Sequence, residues 1–361
     1  MRELAADYAA LSASGPVGRA VVLQVWGSAP RPEGASLLAT PAGRMAGSVS
    51  GGCVETAAAE EIREAIARGS PKRVSWGVTH ERAWELGLSC GGTIEVFVEP
   101  SVRPELLDAA SREAASVVAT VVGGAAPVGS ALVLQEDGGT SATGGLPAAL
   151  EAPLRERAVR ALAGLTSRME TLPGGGEGGD VEVFLEVFPR RPTLLIFGGV
   201  HIATALVRLA RPLGFRTVVA DGREGFLTRE RFPDADLLLL GWPEEVFRTA
   251  GLDAATCVCL LTHDPKFDEP ALELALRSPA CYVGAIGSRK TQAHRRERLR
   301  AAGFTETEIG RLHGPIGLEL GGRNPAEIAL AILAEITAVR YGRPMARPAG
   351  EPETRSRAFP G

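Results

Sequence analysis

Three observations in the sequence predict an α/β chain of two domains. First, from residue 193 onward short apolar runs alternate with helical patterns. The runs are Thr193–Phe197, Thr217–Ala220, Asp236–Leu240, Thr256–Leu261 and Tyr282–Ile286, an alternation that builds a parallel sheet with helices on both faces. Second, "LLIFGGVHIATAL" passes from a buried-type strand through a glycine turn into a helix, as a phosphate-binding βα turn requires. Third, the glycine-rich "LPGGGEGGD" (Leu172–Asp180) and the proline-bearing "FPRRP" (Phe188–Pro192) part this half from what precedes it. Residues 1–190 are therefore assigned to a mixed α+β domain and 191–342 to a Rossmann-like, doubly wound parallel sheet. Residues 343–361, rich in proline and arginine, read as a loose tail.

The 361 residues suffice for two cores. A hydrophobic fraction of 45% with 23% charged residues is ordinary for a soluble globular protein. The formal net charge of −4 argues against a general nucleic-acid binder, which would carry a basic excess. Five scattered cysteines make no disulfide framework and fit a reducing compartment. The opening "MRELAADYAALSASG" lacks the apolar core of a signal peptide. No apolar run approaches the roughly 20 residues of a membrane helix. The expectation is a cytoplasmic protein without a membrane span.

The first domain contains a degenerate internal repeat, over 15–100 and 110–190. "VVLQVWGSAPRPEGASLLA" from Val21 is echoed by "VVATVVGGAAPVGSALVLQ" from Val117. Each copy continues into a Gly/Ser-rich stretch, a helical pattern and an alternating strand, "IEVFVEP" from Ile94 and "VEVFLEV" from Val181. In the second domain, "RNPAEIALAILAEI" opens a helix: Asn324 caps it, Pro325 takes the first position and Glu327 can close a capping box.

Laid on the glycine turn, a dinucleotide fingerprint starts at Gly198 and ends at Ala203, but Val200 takes the place of its middle glycine. That glycine exists so the backbone can approach a pyrophosphate, and a β-branched side chain obstructs it. Asp221, ending "TVVAD", sits where a ribose-binding acid belongs. In doubly wound sheets ligands lie beyond the carboxyl ends of the strands. "LLTHDPKFD" brings His263, Asp264 and Lys266 there, and "VGAIGSRKTQAHRR" brings Gly284, Gly287, Ser288, Arg289 and Lys290. Hydroxyl and cationic donors at a helix start suit an anionic phosphate; a solvated helix face is the bland reading of Arg289 and Lys290.

A thiol raises a separate possibility. "GSVSGGCVETAAAEEI" sets Cys53 behind Gly51 and Gly52, ahead of an apolar stripe Val54, Ala58, Ile62 and Ile66 four residues apart. A helix N-terminus lowers a thiol pKa, and the glycines leave room for a ligand. Glu55, in the first turn, is a candidate acid or base. Cys90 in "LSCGGTIEVFVEP" has a similar setting. Two such thiols are too few for a usual zinc site, and both can equally be small buried residues. Cys257, Cys259 and Cys281 read as core.

"GSAPRPEGASLLATPAGRMAGSVSGGCVE", "SCGG", "IEVFVEP", "LLIFGGVHIA", "THDPKFD", "GAIGSRK" and "PIGLELGGRNPAEIALAILAEI" occur in this order over nearly the whole chain. Together they resemble the XdhC/CoxI family. The resemblance implies an XdhC/CoxI-type N-terminal domain, a Rossmann-like C-terminal domain and a maturation factor for molybdenum hydroxylases such as xanthine dehydrogenase or carbon monoxide dehydrogenase. It implies binding of molybdenum cofactor (molybdopterin), support of its sulfuration and delivery to an apo molybdenum hydroxylase. The family's GGC motif falls on Gly51, Gly52 and Cys53, and its G-x-G-H turn on Gly198, Gly199, Val200 and His201. A cysteine desulfurase and a second copy of the chain stay open as partners. The alternatives are an NAD(P)-dependent oxidoreductase, which Val200 counts against, and a cofactor-modifying transferase with Cys53 as sulfur carrier.

Overall fold

The computed structural model describes residues 1–27, 31–52, 54–77, 92–173, 179–262 and 264–342. By its contacts the chain divides into two units, Met1–Arg190 and Arg191–Gly361.

The first unit begins with α1 (Ala5–Ser12), β1 (Gly18–Trp26), β2 (Ser36–Ala39), β3 (Met45–Gly47), α2 (Glu55–Arg68), β4 (Lys72–Gly77) and β5 (Thr93–Glu99). After α3 (Pro104–Ser111) come β6 (Ser116–Gly124), β7 (Ala131–Gln135), β8 (Thr140–Thr143), α4 (Ala148–Gly164), β9 (Arg168–Leu172) and β10 (Val181–Phe188). The strands form two antiparallel sheets, β3-β2-β1-β5-β4 and β8-β7-β6-β10-β9. The same order occurs twice, each time with one long helix between the third and fourth strands in chain order.

Period-two alternation sets the layers. Ala20 and Val22 of β1 cluster with Ala58, Ile62 and Ala65 of α2. Val21 and Leu23, on the other face, meet Phe97, Val122 and Phe184 between the sheets. On the far side Val117, Ala119, Val183 and Leu185 pack on Leu150, Leu154 and Ala158 of α4. The unit is a helix–sheet–sheet–helix stack. Arg19 shares the parity of Val21, so it enters the intersheet layer and is fully buried. There it pairs with Glu186 at 2.5 Å and Glu99 at 3.3 Å, and donates to Ser36 Oγ at 2.9 Å. Burial works against its charge, but Glu186 and Glu99 more than restore it, so the guanidinium stays protonated.

The second unit runs β11 (Thr193–Phe197), α5 (His201–Ala210), β12 (Arg216–Asp221), β13 (Leu237–Leu240), α6 (Pro243–Ala250), β14 (Thr256–Leu260) and α7 (Pro265–Arg277). It continues with β15 (Tyr282–Ala285), α8 (Arg289–Ala301), α9 (Glu306–Gly310), β16 (Leu312–His313) and α10 (Pro325–Arg340). The sheet is parallel, ordered β13-β12-β11-β14-β15-β16. This is the doubly wound order, with its switch point between β11 and β14. Helices α6 to α9 cover one face, and α5 and α10 the other. The Asn324–Glu327 capping box with Pro325 at the first position starts α10, as its sequence predicts. Cys257 and Cys259 are core residues, whereas Cys281, expected in the core, is half-buried. It precedes β15 and packs, partly buried, against the margin of the core on the α5 and α10 face.

On α10, Glu335 is buried and accepts from Tyr282 Oη at 2.6 Å and the Gly317 N–H at 2.8 Å; His313 Nδ1 lies 3.4 Å away. Burial opposes its ionisation, but the bonds from His313, Tyr282 and Gly317 hold the carboxyl down to about 2, from 4.5. With the folded value depressed, its stabilisation is complete above the ordinary value and fades as pH falls toward the folded one. Glu335→Ala is expected to lower stability by about 1–3 kcal/mol at neutral pH, by taking this acceptor from buried donors. Urea unfolding at pH 7 and near pH 3 checks it: the gap between wild type and variant should narrow in acid.

Candidate functional site

The loop ahead of α2 is organised by Glu55, the first residue of that helix. Its carboxylate accepts from Ser48 Oγ at 2.7 Å and Ser50 Oγ at 2.6 Å. The backbone N–H groups of Val49, Ser50, Gly51 and Gly52 also donate to it, at 3.2, 2.9, 3.1 and 2.8 Å. Burial opposes the charge, but the Ser50 and Ser48 hydroxyls and the backbone bonds hold the carboxyl down to about 2. The chain can curl round the carboxylate because Gly51 and Gly52 have φ of 81° and 126°, which L side chains rarely adopt. So these two glycines serve the turn, and their N–H groups already hold an anion, Glu55 itself. A carboxyl ionised this firmly is a poor proton donor at neutral pH, and the geometry lends no support to Glu55 as a catalytic acid. Cys53 and Cys90 lie outside the described residues. Both neighbours of position 53 are held: Gly52 by Glu55, and Val54 by its N–H to Ser50 Oγ at 3.0 Å.

In the second unit the glycine turn is likewise closed by the protein's own groups. A Cβ on Gly198 would meet Thr262 Cγ2 at 2.8 Å, and one on Gly199 would collide with the Phe226 carbonyl. Both glycines are therefore required by neighbouring chain. Asp221 is fully buried. It accepts the Gly199 N–H at 2.8 Å and the Arg223 guanidinium through two bonds of 2.9 Å. Burial would raise its pKa, yet Arg223 and the Gly199 N–H win and lower it. The acid expected to hold a ribose is instead the clamp of the turn, and it presents no free carboxylate. Val200 caps α5 with no side-chain bond and packs against the core, while His201, the first helical residue, is exposed.

The remaining strand-end residues are mostly caps. Asp264 caps α7 by accepting the Lys266 N–H at 3.1 Å; His263 lies outside the described residues. Ser288 caps α8 by accepting the Thr291 N–H at 3.2 Å, next to Gly287 with φ of 137°. Arg289 is exposed and pairs with Glu319 at 3.1 Å; Lys290 is exposed. Gly284, inside β15, lies against Ile316 and the Tyr282 hydroxyl.

Sequence reasoning missed two features of this edge. Beneath the loops, buried Asp268 receives Thr262 Oγ1 and, at 2.7 Å, Arg295 from α8. At the ends of β12 and β13, Phe226 and Trp242 stay 38% and 52% exposed. The Arg223 guanidinium lies 3.8 Å above the Phe226 ring, and Trp242 packs 4.8 Å from Phe267. "DGREGF" and "GW" were the available signals: an arginine and aromatics directly after strand ends. Partly exposed aromatic rings at strand ends can take a planar ligand by stacking, and a nearby guanidinium favours an anionic one. Among the described residues no cluster of His, Cys, Asp and Glu is arranged to hold a metal ion, and no helix is long and apolar enough to cross a membrane.

The chain is 26% identical over 329 residues to a probable xanthine dehydrogenase subunit of Bacillus subtilis, spanning 89% of this chain and 92% of the relative. It is 27% identical over 322 residues to the molybdenum cofactor insertion chaperone PaoD of Escherichia coli, 88% of this chain and 82% of that one. A crystal structure described as a xanthine dehydrogenase from Bacillus halodurans shares the fold at a TM-score of 0.74 and 24% identity, over 97% of this chain and 98% of the other. Residues 194–336 match the XdhC Rossmann domain and residues 10–77 the XdhC and CoxI family. The chain belongs to the XdhC/CoxI family.

Proposed function

We propose that this protein is a maturation factor that binds molybdenum cofactor as cargo and delivers it to an apo molybdenum hydroxylase. The likeness to a molybdenum cofactor insertion chaperone along 88% of the chain supports this reading most. The donor set fits the cargo's chemistry. A pterin is a planar heterocycle and suits the partly exposed Phe226 and Trp242 rings at the ends of β12 and β13. Its phosphate suits exposed cations such as Lys266 and Lys290 at the same strand-end edge. The Cys53 thiolate is a soft donor and a sulfur acceptor, so a cysteine desulfurase is the natural partner if the protein also supports sulfuration.

The test is to purify the protein from cells supplied with molybdate, measure bound molybdenum and pterin, and add it to an apo hydroxylase. Stoichiometric pterin and restored activity are expected; background pterin with no activation would reject the proposal. The oxidoreductase reading is tested in the same preparation. With Asp221 clamped by Arg223 and Val200 in the turn, NADH is expected to bind no tighter than about millimolar, or roughly −4 kcal/mol, by calorimetry. Micromolar binding would favour a dehydrogenase.

A further inference from the structure

The second unit holds a pair of thiols that the proposed cargo role does not use. Cys257 is the second residue of β14, and its partner across the parallel ladder is Tyr282. Cys281, just before Tyr282, donates its N–H to the Thr256 carbonyl at 2.9 Å, which fixes its backbone beside β14. The two sulfurs lie 3.3 Å apart. Neighbouring strands stand about 4.7–4.9 Å apart, inside the Cα separation of about 4.4–6.8 Å that a disulfide spans. A covalent bond therefore needs side-chain rotation and little backbone movement.

We infer that Cys257 and Cys281 are an oxidisable dithiol, a modification site at which a hydroperoxide closes a disulfide between β14 and β15. The two sulfurs differ in access. Cys257 has no exposed surface, whereas Cys281 is half-buried and within reach of a small oxidant. The hydrogen bond from Cys257 lowers the Cys281 pKa, against burial, with help from the Arg340 charge. Cys257 goes the other way, raised by that same bond and by burial. Cys281 is thus the attacking sulfur and Cys257 the resolving one. The Cys281 thiolate attacks a peroxide oxygen; the O–O bond breaks, an S–O bond forms, and the departing hydroxide or alkoxide takes a proton. The Cys257 sulfur then attacks the Cys281 sulfenic acid. An S–S bond forms, the S–O bond breaks, and the leaving hydroxide takes the Cys257 proton as water. Two thiols lose two electrons and two protons, and the hydroperoxide is reduced to water and water or alcohol. Both cysteines sit at the amino ends of their strands, so the bond forms at the opposite edge of the sheet from the strand-end loops.

The full-length protein is treated with dilute hydrogen peroxide, quenched, unfolded in urea so that the buried Cys257 is reachable, blocked with an alkylating agent and mapped by mass spectrometry without reduction. The expected product is one cross-linked peptide pair, lighter by two hydrogens, joining residues 249–266 to 278–289, with fragmentation placing the bond at Cys257 and not Cys259. Reductant should restore both thiols. In Cys281→Ser, protection of Cys257 from alkylation should vanish; in Cys257→Ser, a sulfenic-acid trap should label Cys281. Full alkylation of both residues after peroxide would overturn the inference. So would a bond from either one to Cys53, Cys90 or Cys259, or protection of Cys257 that survives loss of Cys281.

Discussion

Arg19→Met is expected to destabilise the first unit by about 3–5 kcal/mol, the cost of removing one partner from a buried ion pair. The effect should be this large because Arg19 answers two carboxylates at once, on different sheets. Glu99 keeps another cation in the variant, since Arg103 donates to it at 2.7 Å. Glu186 loses its Arg19 contact inside an apolar layer formed by residues such as Val21, Leu23 and Phe184. Methionine fills much of the vacated volume, so cavity formation adds little and the lost Arg19 contact of Glu186 dominates, since the Met1 ammonium, which also feels Glu186, is itself disfavoured by burial. The double variant Arg19→Met/Glu186→Leu separates the two causes. Replacing a buried pair with apolar groups is often neutral or stabilising, so the double variant should recover most of the loss. Urea denaturation of the single and double variants reads both numbers. A single variant within about 1 kcal/mol of wild type would mean that Glu186 finds a new partner or water, as exposed pairs of that small worth do.

That ion cluster shows where sequence reading stops. The parity of "GRAVVLQVW" places Arg19 on the face shared by Val21 and Leu23, but parity alone does not say that this face lies against a second sheet. Period and turn chemistry carry further where the signal is local. All five strands read from the apolar runs of the second half recur within one residue at either end, and Asn324, Pro325 and Glu327 open α10 as they read. Strand β16, two residues long, carries no periodicity and was not legible. At the candidate site, the glycine turns and strand-end loops were legible as motifs, but their occupancy was not. Gly51 and Gly199 look like anion cradles in sequence; the anions they meet are Glu55, four residues on, and Asp221, from the next strand. A carboxylate close in sequence to a glycine loop competes with any ligand for that loop's N–H groups, and only the fold decides the contest. For Asp221 the missing piece was Arg223, two residues away.

Cys53→Ser is expected to abolish delivery of cofactor to the client hydroxylase while leaving the fold within about 1 kcal/mol of wild type, the scale of a changed helix cap. Folding should survive because the described residues on either side of position 53 have bonds of their own. Gly52 is tied to Glu55, Val54 to Ser50, and Ala58 and Ile62 anchor the helix in the core. Function should not survive, because the serine hydroxyl does not ionise in the working range and can be neither a thiolate donor nor a sulfur acceptor. Two opposing fields set the thiol's pKa. The amino end of α2 favours the thiolate, and the ionised Glu55 carboxylate disfavours it. The Glu55 charge is already matched by its hydroxyl and backbone donors, so the helix end should win and the thiol should titrate below about 8.5. With its carboxyl held at about 2, Glu55 stays ionised throughout the working range and cannot hand a proton to the sulfur, so the thiol proton must exchange with solvent, the cargo or the client. Alkylation rate against pH, followed at Cys53 by peptide mapping, checks the ionisation; activation of the apo hydroxylase checks the role. A serine variant that still activates its client, together with a wild-type thiol titrating near or above about 8.5, would reduce Cys53 to a small residue in a tight turn and leave Gly51 and Gly52 explained by their hold on Glu55 alone.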